Sequence, residues 1–421
     1  MDVCDAVGAE PTSNLTGWDT PAPSREKPRI SERRACRVCG RGGLIRYLNF
    51  GMQPLANALR EPGAVARDEF RAPLAVQACP QCKLSQLTHV VDPALLYTEY
   101  AYRSGVSPSW RAHCAALARG PYALAGDFVL DIAANDGTLL QEFAKCGTTT
   151  LGIEPSPSFA DCDYPRITDW WSTRLVAQQN LTEKADLIVA QNVLGHVDDV
   201  HDFLRGIALA LKPNGLALVE VPYVLDLFDT TAFDTIYHEH LSYWSVTALK
   251  IAAERAGLAL VNVEPLRLHG GSIRATLAKS GKPNDAVARY LVRELHDLTR
   301  STYMRTSARV TRAIARINEE LLCQTPYVGF GAAAKTTVML GCLDSRAHPY
   351  VVYDENPHKQ GKRIPGTNVP IEAPPADWRT APGPMCNFVW TQPDVVTRLR
   401  AAGYDGAIYS PLPRGVWDEL E

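Results

Sequence analysis

Between Asp127 and about Lys279, short apolar runs alternate with longer stretches of helical character: FVLDIAA, TTLGIEP, ADLIVAQNV, GLALVEVP, LALVNVEP and SIRATLA separate amphipathic or Ala-rich segments. Apolar runs of that length, set apart by helical patterns, predict parallel strands joined by helices. From 283 to 322, Leu, Val and Ile recur at spacings of three and four among many Arg and Glu, which predicts one long helix. The alternation resumes in PYVGFGAAA, PYVVYDEN, CNFVWTQ and GAIYSP, a second and smaller α/β unit. Ahead of both units, the stretch from Cys36 to about residue 105 is irregular, with Gly42-Gly43, scattered prolines and short apolar runs, as expected of a small module organised by a metal. The first 29 residues are rich in Pro, Ser, Thr and small residues without a period, and bury too little to offset the entropy of ordering. The pattern divides the chain into a disordered tail (1–29), a zinc-binding module (30–105), a central α/β domain (106–282), and a long helix with a second α/β domain (283–421). No tandem repeat is visible.

Composition narrows the classes of function. At 421 residues, with 46% hydrophobic and 21% charged, the chain can build several cores. A net charge of -3, without a basic run or stripe, gives no general attraction for nucleic acid or an anionic membrane. No stretch approaches the roughly eighteen uninterrupted apolar residues of a spanning helix, and the N-terminus lacks a basic segment followed by an apolar one. The expected location is the cytoplasm, and the expected state a monomer, since three domains can bury their own surfaces. Eleven cysteines make an odd count in a chain too rich in apolar residues to need disulfide staples.

Four of those cysteines form the pairs Cys36-x-x-Cys39 and Cys79-x-x-Cys82. Each CxxC turn sets two thiolates on one side of a tight loop, and two turns complete a tetrahedral Zn²⁺ site with no position left for substrate or water. The zinc is therefore expected to be structural; independent buried cysteines or two redox pairs are the alternatives that the doubled spacing argues against. The segment VLDIAANDGTLL (129–140) predicts a strand ending in Asp131, then a turn with Ala133, Asn135, Asp136 and Gly137 that opens a helix. In an open parallel sheet the ligand lies beyond the carboxyl ends of the strands, where small residues let the backbone approach it. The next strand ends in Glu154, placed to accept both hydroxyls of a ribose, and a third ends in Gln191 and Asn192. With no GxGxxG turn in this unit, the combination favours S-adenosylmethionine over a dinucleotide.

TIYHEHLSYW (235–244) crowds His238, Glu239 and His240 beside Tyr237, and three titratable groups this dense are poor core material. A polar helix end or a metal pair is the plain alternative. LHGGSIRATLA puts His269, Gly270 and Gly271 ahead of an alternating strand. The glycines permit positive φ and a bare backbone beside a ligand, and a tight turn would use the same residues.

Taken in order, these motifs resemble the three-domain sugar C-methyltransferases of bacterial deoxysugar biosynthesis, a family that includes enzymes making branched sugars of antibiotics. The likeness spans 30 to 421 and rests on CxxCG at Cys36–Gly40 with Cys79 and Cys82, DIAANDGTLL, QNVLGHVDD, YHEHLSYW, HGGSIR, GFGAAAK and DENPHKQGK. It implies an α/β fold: a class I, Rossmann-like methyltransferase domain with a small N-terminal zinc module and a second C-terminal Rossmann-like domain. It further implies S-adenosylmethionine on the central domain and a sugar nucleotide between the central and C-terminal domains. His240, Tyr237, Glu239 and His196 match the family's active-site positions, and His238, His269, Gly270, Gly271 and Lys335 would face the substrate. The sequence departs from the family in the alanines of DIAAND and in FVWTQP near residue 390.

The implied reaction is C-methylation beside the ketone of a thymidine-diphosphate-linked 4-keto-deoxysugar, at C3 with C5 as the alternative. In it His240 is the expected base, His196 the second candidate, Tyr237 a donor to the enolate oxygen and Glu239 an orienting group. A bifunctional enzyme that also reduces the ketone with NADPH is the rival reading, because Gly329-x-Gly331 follows a strand, although Ala334 stands where a third glycine belongs. An O-methyltransferase on the central domain alone, and a non-catalytic zinc-organised binding protein, complete the alternatives.

Overall fold

The computed structural model describes residues 30–63, 69–97, 103–268, 270–389, 392–412 and 416–418. The expected tail, His269, and Trp390 and Thr391 of the FVWTQP segment lie outside the described residues. A seven-stranded sheet forms the middle, in the order Ala259–Leu266, Ser272–Ala278, Leu211–Pro222, Ala185–Gln191, Phe128–Ile132, Thr149–Ile153, Arg166–Ile167. The last five pair in parallel. Parallel pairing was expected across the whole sheet, but Ser272–Ala278 runs antiparallel to both neighbours. The chain turns between Ala259–Leu266 and Ser272–Ala278 through Gly270 and Gly271 at φ 87° and 117°, whereas a parallel pair needs a crossover of about a dozen residues.

The N-terminal module is a four-stranded antiparallel sheet whose outer strand comes from elsewhere in the chain. Its order is Ser242–Tyr243, Ser85–Leu87, Arg71–Ala78, Ile45–Pro54. The strand that directly follows the YHEH cluster thus belongs to the zinc module's sheet. At the other end of the chain, a six-stranded sheet has the order Ile371–Glu372, Val351–Tyr353, Val328–Phe330, Met385–Asn387, Ile408–Ser410, Val416–Asp418, parallel except for its last pair.

The single long helix expected over 283–322 is two helices, Asp285–Asp297 and Arg300–Gln324. Thr299 breaks the run: extended at φ -111°, it caps the second helix by accepting the Thr302 N–H, a common way to start a helix. Buried Glu294, on the first helix, accepts the Val246 and Thr247 amides and so caps the Val246–Arg255 helix of the central domain. Tyr303 of the second helix meets Tyr47 of the zinc module at 5.1 Å and Phe228 of the central domain at 6.0 Å between ring centres. These three rings join three parts of the chain, and such pairs are each worth about 0.5–1.5 kcal/mol beyond the area they bury. No helix among the described residues is long and apolar enough to cross a membrane.

Candidate active site and metal centre

The four cysteines converge. Their sulfurs all lie within 4.8 Å of one another, with Cys36 Sγ 3.3 Å from Cys82 and Cys39 Sγ 3.4 Å from Cys79. A tetrahedron of Zn–S bonds has edges of about 3.8 Å, so the set fits Zn²⁺ with small adjustment. The two knuckles repeat one geometry. Gly40 and Lys83 donate to the Cys36 and Cys79 carbonyls, and Cys36 and Cys79 donate to the Arg41 and Leu84 carbonyls. Gly40 and Lys83 both take left-handed φ, 74° and 65°. The first knuckle also reaches the central domain. Buried Arg37 donates to Asp198 at 3.0 Å and to the Leu241 carbonyl at 3.1 Å, one residue beyond His240.

A cavity of about 590 Å³ opens at the carboxyl ends of the central strands, walled by all three parts of the chain. On its central side lie Asp131, Ala133, Asn135, Glu154, Gln191 and Asn192. The Asp131 carboxyl is held well above the usual range by burial and then by the nearby Glu154 and Glu220 charges. Glu154 is raised by burial, and its two oxygens accept the Asn135 and Ser156 amides at 2.9 and 2.8 Å. A wall of buried carboxyls whose ionised forms repel is relieved by a cationic ligand, which S-adenosylmethionine is. Ala133, Asn135 and Asn192, which follow two of the strand ends and line the cavity, are at φ 62°, 53° and 55°, a left-handed conformation that non-glycine residues adopt at a cost.

On the opposite wall stand His196, Tyr237 and His240. His240 Nδ1 lies 2.7 Å from the Thr235 carbonyl oxygen. Its ring lies 3.9 Å from that of Tyr237 and 4.9 Å, edge-on, from that of His196. His196 Nδ1 is 3.0 Å from the Tyr97 hydroxyl, and burial lowers its pKa to about 4. Lys335 and Lys359 reach the cavity from the C-terminal unit; burial lowers Lys335 to about 8.

Several expected site residues fall elsewhere. Asp136 and Gly137 shape the turn without lining the cavity: Asp136 accepts the Gly105 amide and the Thr138 hydroxyl, and Gly137 lies against Tyr164, where a Cβ would collide. His238 is buried with Nε2 3.2 Å from the Ala72 carbonyl, a tie to the zinc module rather than a substrate contact. Gly270 and Gly271 make the hairpin turn, and a Cβ on Gly271 would come within 2.5 Å of Asp226. Glu239 is buried behind the wall, accepting from Asn57 at 2.7 Å; burial raises it to about 7. In the C-terminal unit, Asp354 accepts the Ala332 amide at 2.7 Å and stands 3.4 Å from Lys359, while Val389 covers Gly331. Ala332, Ala333 and Ala334 of the same turn line the cavity.

Residues the sequence reading missed are Asn57, Tyr97, Trp170 and Lys359 on the cavity wall, and Glu220 behind it. Glu220 accepts from His113 at 2.8 Å, Gln191 at 2.9 Å and Arg274 at 2.7 Å. Two local signals were available: the tandem Trp170-Trp171, since Trp170 is 51% exposed in a loop following a strand, and the DENPHKQGK motif that contains Lys359.

Family sequence models match the chain in tandem: a zinc binding domain over 36–97, a methyltransferase domain over 102–263 and a C-methyltransferase C-terminal domain over 267–413. The C-methyltransferase NovU of Streptomyces niveus is 31% identical over 359 residues, 80% of this chain and 85% of its own length. A ubiquinone biosynthesis O-methyltransferase of Azorhizobium caulinodans is 30% identical over 175 residues, 40% of this chain and 65% of its own length. Among solved structures, a chain of the complex between the Haloferax volcanii Trm112 methyltransferase activator and a methyltransferase overlaps 41% of this chain and 90% of its own, at 18% identity and a TM-score of 0.34.

Proposed function

Because this chain belongs to the three-domain sugar C-methyltransferase family and is an S-adenosylmethionine-dependent C-methyltransferase, we propose that its acceptor is a thymidine-diphosphate-linked 4-keto-deoxysugar. Methylation falls on the carbon beside the ketone, C3, in the making of an antibiotic's deoxysugar. The observation that carries this reading is the state of His240. A carbonyl oxygen can only accept, so the 2.7 Å contact with Thr235 assigns the hydrogen to Nδ1 and leaves Nε2 with a lone pair for a proton.

The ketone acidifies the hydrogen on the neighbouring carbon. As that C–H bond breaks, the proton passes to His240 Nε2 and the electron pair moves onto the ketone oxygen, where the Tyr237 hydroxyl donates to it. His196, neutral at pH 7 because burial lowers it to about 4, adds no repulsion to the imidazolium forming 4.9 Å away. S-adenosylmethionine, when bound, supplies an electrophilic methyl on a sulfonium sulfur. Held beside Asp131, Glu154, Gln191 and Asn192, it would give that methyl to the substrate carbon, the methyl–sulfur bond breaking as the C–C bond forms. Lys335 and Lys359, cations on the C-terminal wall, support placing the diphosphate there.

Incubation with S-adenosylmethionine and a thymidine-diphosphate 4-keto-deoxysugar in D₂O, followed by mass spectrometry, tests the proposal. The expected product gains one methyl, and unreacted substrate gains deuterium at the carbon beside the ketone. His240→Ala should lower kcat by roughly 10²–10⁴. A wild type that methylates no such sugar, or a His240→Ala variant with wild-type turnover, refutes it.

A further inference from the structure

We infer that Asn57, a residue of the zinc module, contacts the substrate: its amide oxygen accepts a hydroxyl of the sugar, and Glu239 is the positioning residue that orients it. The inference rests on the keto-sugar reading above and names the part of the site that the zinc module supplies. Asn57 lines the cavity, on the loop that leaves the Ile45–Pro54 strand. Its Nδ2 donates to Glu239 Oε1 at 2.7 Å. With the amide nitrogen turned to the carboxyl, the oxygen is the end free to face a ligand as an acceptor. A sugar hydroxyl is the donor a deoxysugar can offer.

The loop has little freedom to move. Its start is pinned by Gln53, which donates to the Gly341 carbonyl at 3.1 Å, and Thr337 donates to the Ala56 carbonyl at 2.9 Å. Both partners lie on or beside the C-terminal unit's Ala334–Gly341 helix. Glu239 follows Tyr237 and precedes His240, so the same short segment that carries the proposed base also sets the Asn57 amide. Zinc module, central domain and C-terminal unit therefore meet around this loop. A Glu239 that acts through Asn57 also explains why a carboxyl so close in sequence to His240 lies behind the cavity wall.

The test measures the affinity of full-length enzyme for the thymidine-diphosphate keto-sugar by calorimetry, with steady-state kinetics, S-adenosylmethionine affinity and zinc content alongside. Asn57→Ala should weaken sugar affinity and raise its KM about tenfold, the loss of one hydrogen bond, with zinc content and S-adenosylmethionine affinity unchanged. Asn57→Asp sets two carboxyls against each other, which must share a proton, so its sugar affinity should fall as pH rises through neutrality at least tenfold more than the wild type's. Adding Glu239→Gln to Asn57→Asp restores a donor facing an acceptor and leaves an oxygen toward the sugar, so affinity should return to within about threefold of wild type, as one recovered hydrogen bond allows. Unchanged sugar affinity in Asn57→Ala overturns the inference, and so does failure of the double variant to recover while it keeps its zinc. A wild type that binds the sugar but methylates none would sink the functional reading instead, and the same binding comparison would still decide the role of Asn57.

Discussion

Glu239 and two buried histidines, His196 and His238, titrate in opposite senses, and all three directions come from burial. Glu239 is raised from 4.5 to about 7, whereas His196 and His238 are lowered from 6.5 to about 4. The folded protein holds the Glu239 proton more tightly than the unfolded chain does, so its contribution is a loss of stability as pH rises from about 4.5 to about 7. The histidines bind their protons less tightly when folded, and stability gains as pH rises from about 4 to about 6.5. Glu239→Gln removes only the first effect. Urea denaturation should therefore show the variant gaining on wild type between pH 5 and pH 8, by up to about 3 kcal/mol; a pH-independent difference would mean that Glu239 is not raised. At this scale the cysteine pairs were legible, because CxxC spacing fixes two thiols on one loop whatever lies around them, and the two pairs converge. The role of Glu239 was not: nothing between residues 235 and 244 says that Asn57, far away in sequence, takes its carboxyl.

One row of polar side chains crosses four strands of the central sheet. Glu220 sits opposite Gln191 in the parallel pair and opposite Arg274 in the antiparallel pair, and Arg274 in turn faces Glu264. Residues opposite one another in adjacent strands share a face and interact, so Glu220 holds Gln191 against the cavity while His113, from the Pro108–Ala118 helix, closes the row from above. The His113 and Arg274 contacts outweigh desolvation and hold Glu220 below the usual carboxylate range. Glu220→Gln should leave Arg274 without its buried partner, costing roughly 3 kcal/mol, and weaken S-adenosylmethionine about tenfold by releasing Gln191, a loss of about 1.4 kcal/mol. Denaturation and calorimetry check each value, and unchanged cofactor affinity would mean that Gln191 does not depend on Glu220. Periodicity revealed the strands that carry this row but not their direction. The five residues between Leu266 and Ser272 are too few for a crossover, and attention to that length would have predicted the hairpin. Likewise Thr299, a good N-cap, was the available sign that 283–322 is two helices.

The zinc module is joined to the rest of the molecule by more than covalent linkage. Its sheet borrows Ser242–Tyr243, Arg37 donates to the Leu241 carbonyl, His201 lies 2.9 Å from the Val38 carbonyl and Arg255 donates to that same carbonyl. On the other side Glu69 accepts the Gly366 amide with both oxygens, at 2.9 and 2.8 Å. Removing zinc with a chelator should therefore abolish methyl transfer, by freeing the segment that ends at His240, while S-adenosylmethionine still binds at the Asp131–Glu154 side with affinity reduced less than about tenfold, or 1.4 kcal/mol. Retained turnover in the metal-free protein, measured after verifying metal loss by elemental analysis, would refute that coupling. The sequence by itself determined the three-part order, the two CxxC pairs, the strand ends that carry Asp131, Glu154 and Gln191, and the crowded segment around His240, because each depends on residues close together in the chain. Tertiary structure alone decided that His238 faces the zinc module and that Asn57, Tyr97 and Lys359 wall one cavity with His240. Those placements follow from which surfaces pack together, and contacts between residues hundreds of positions apart leave no trace in local spacing.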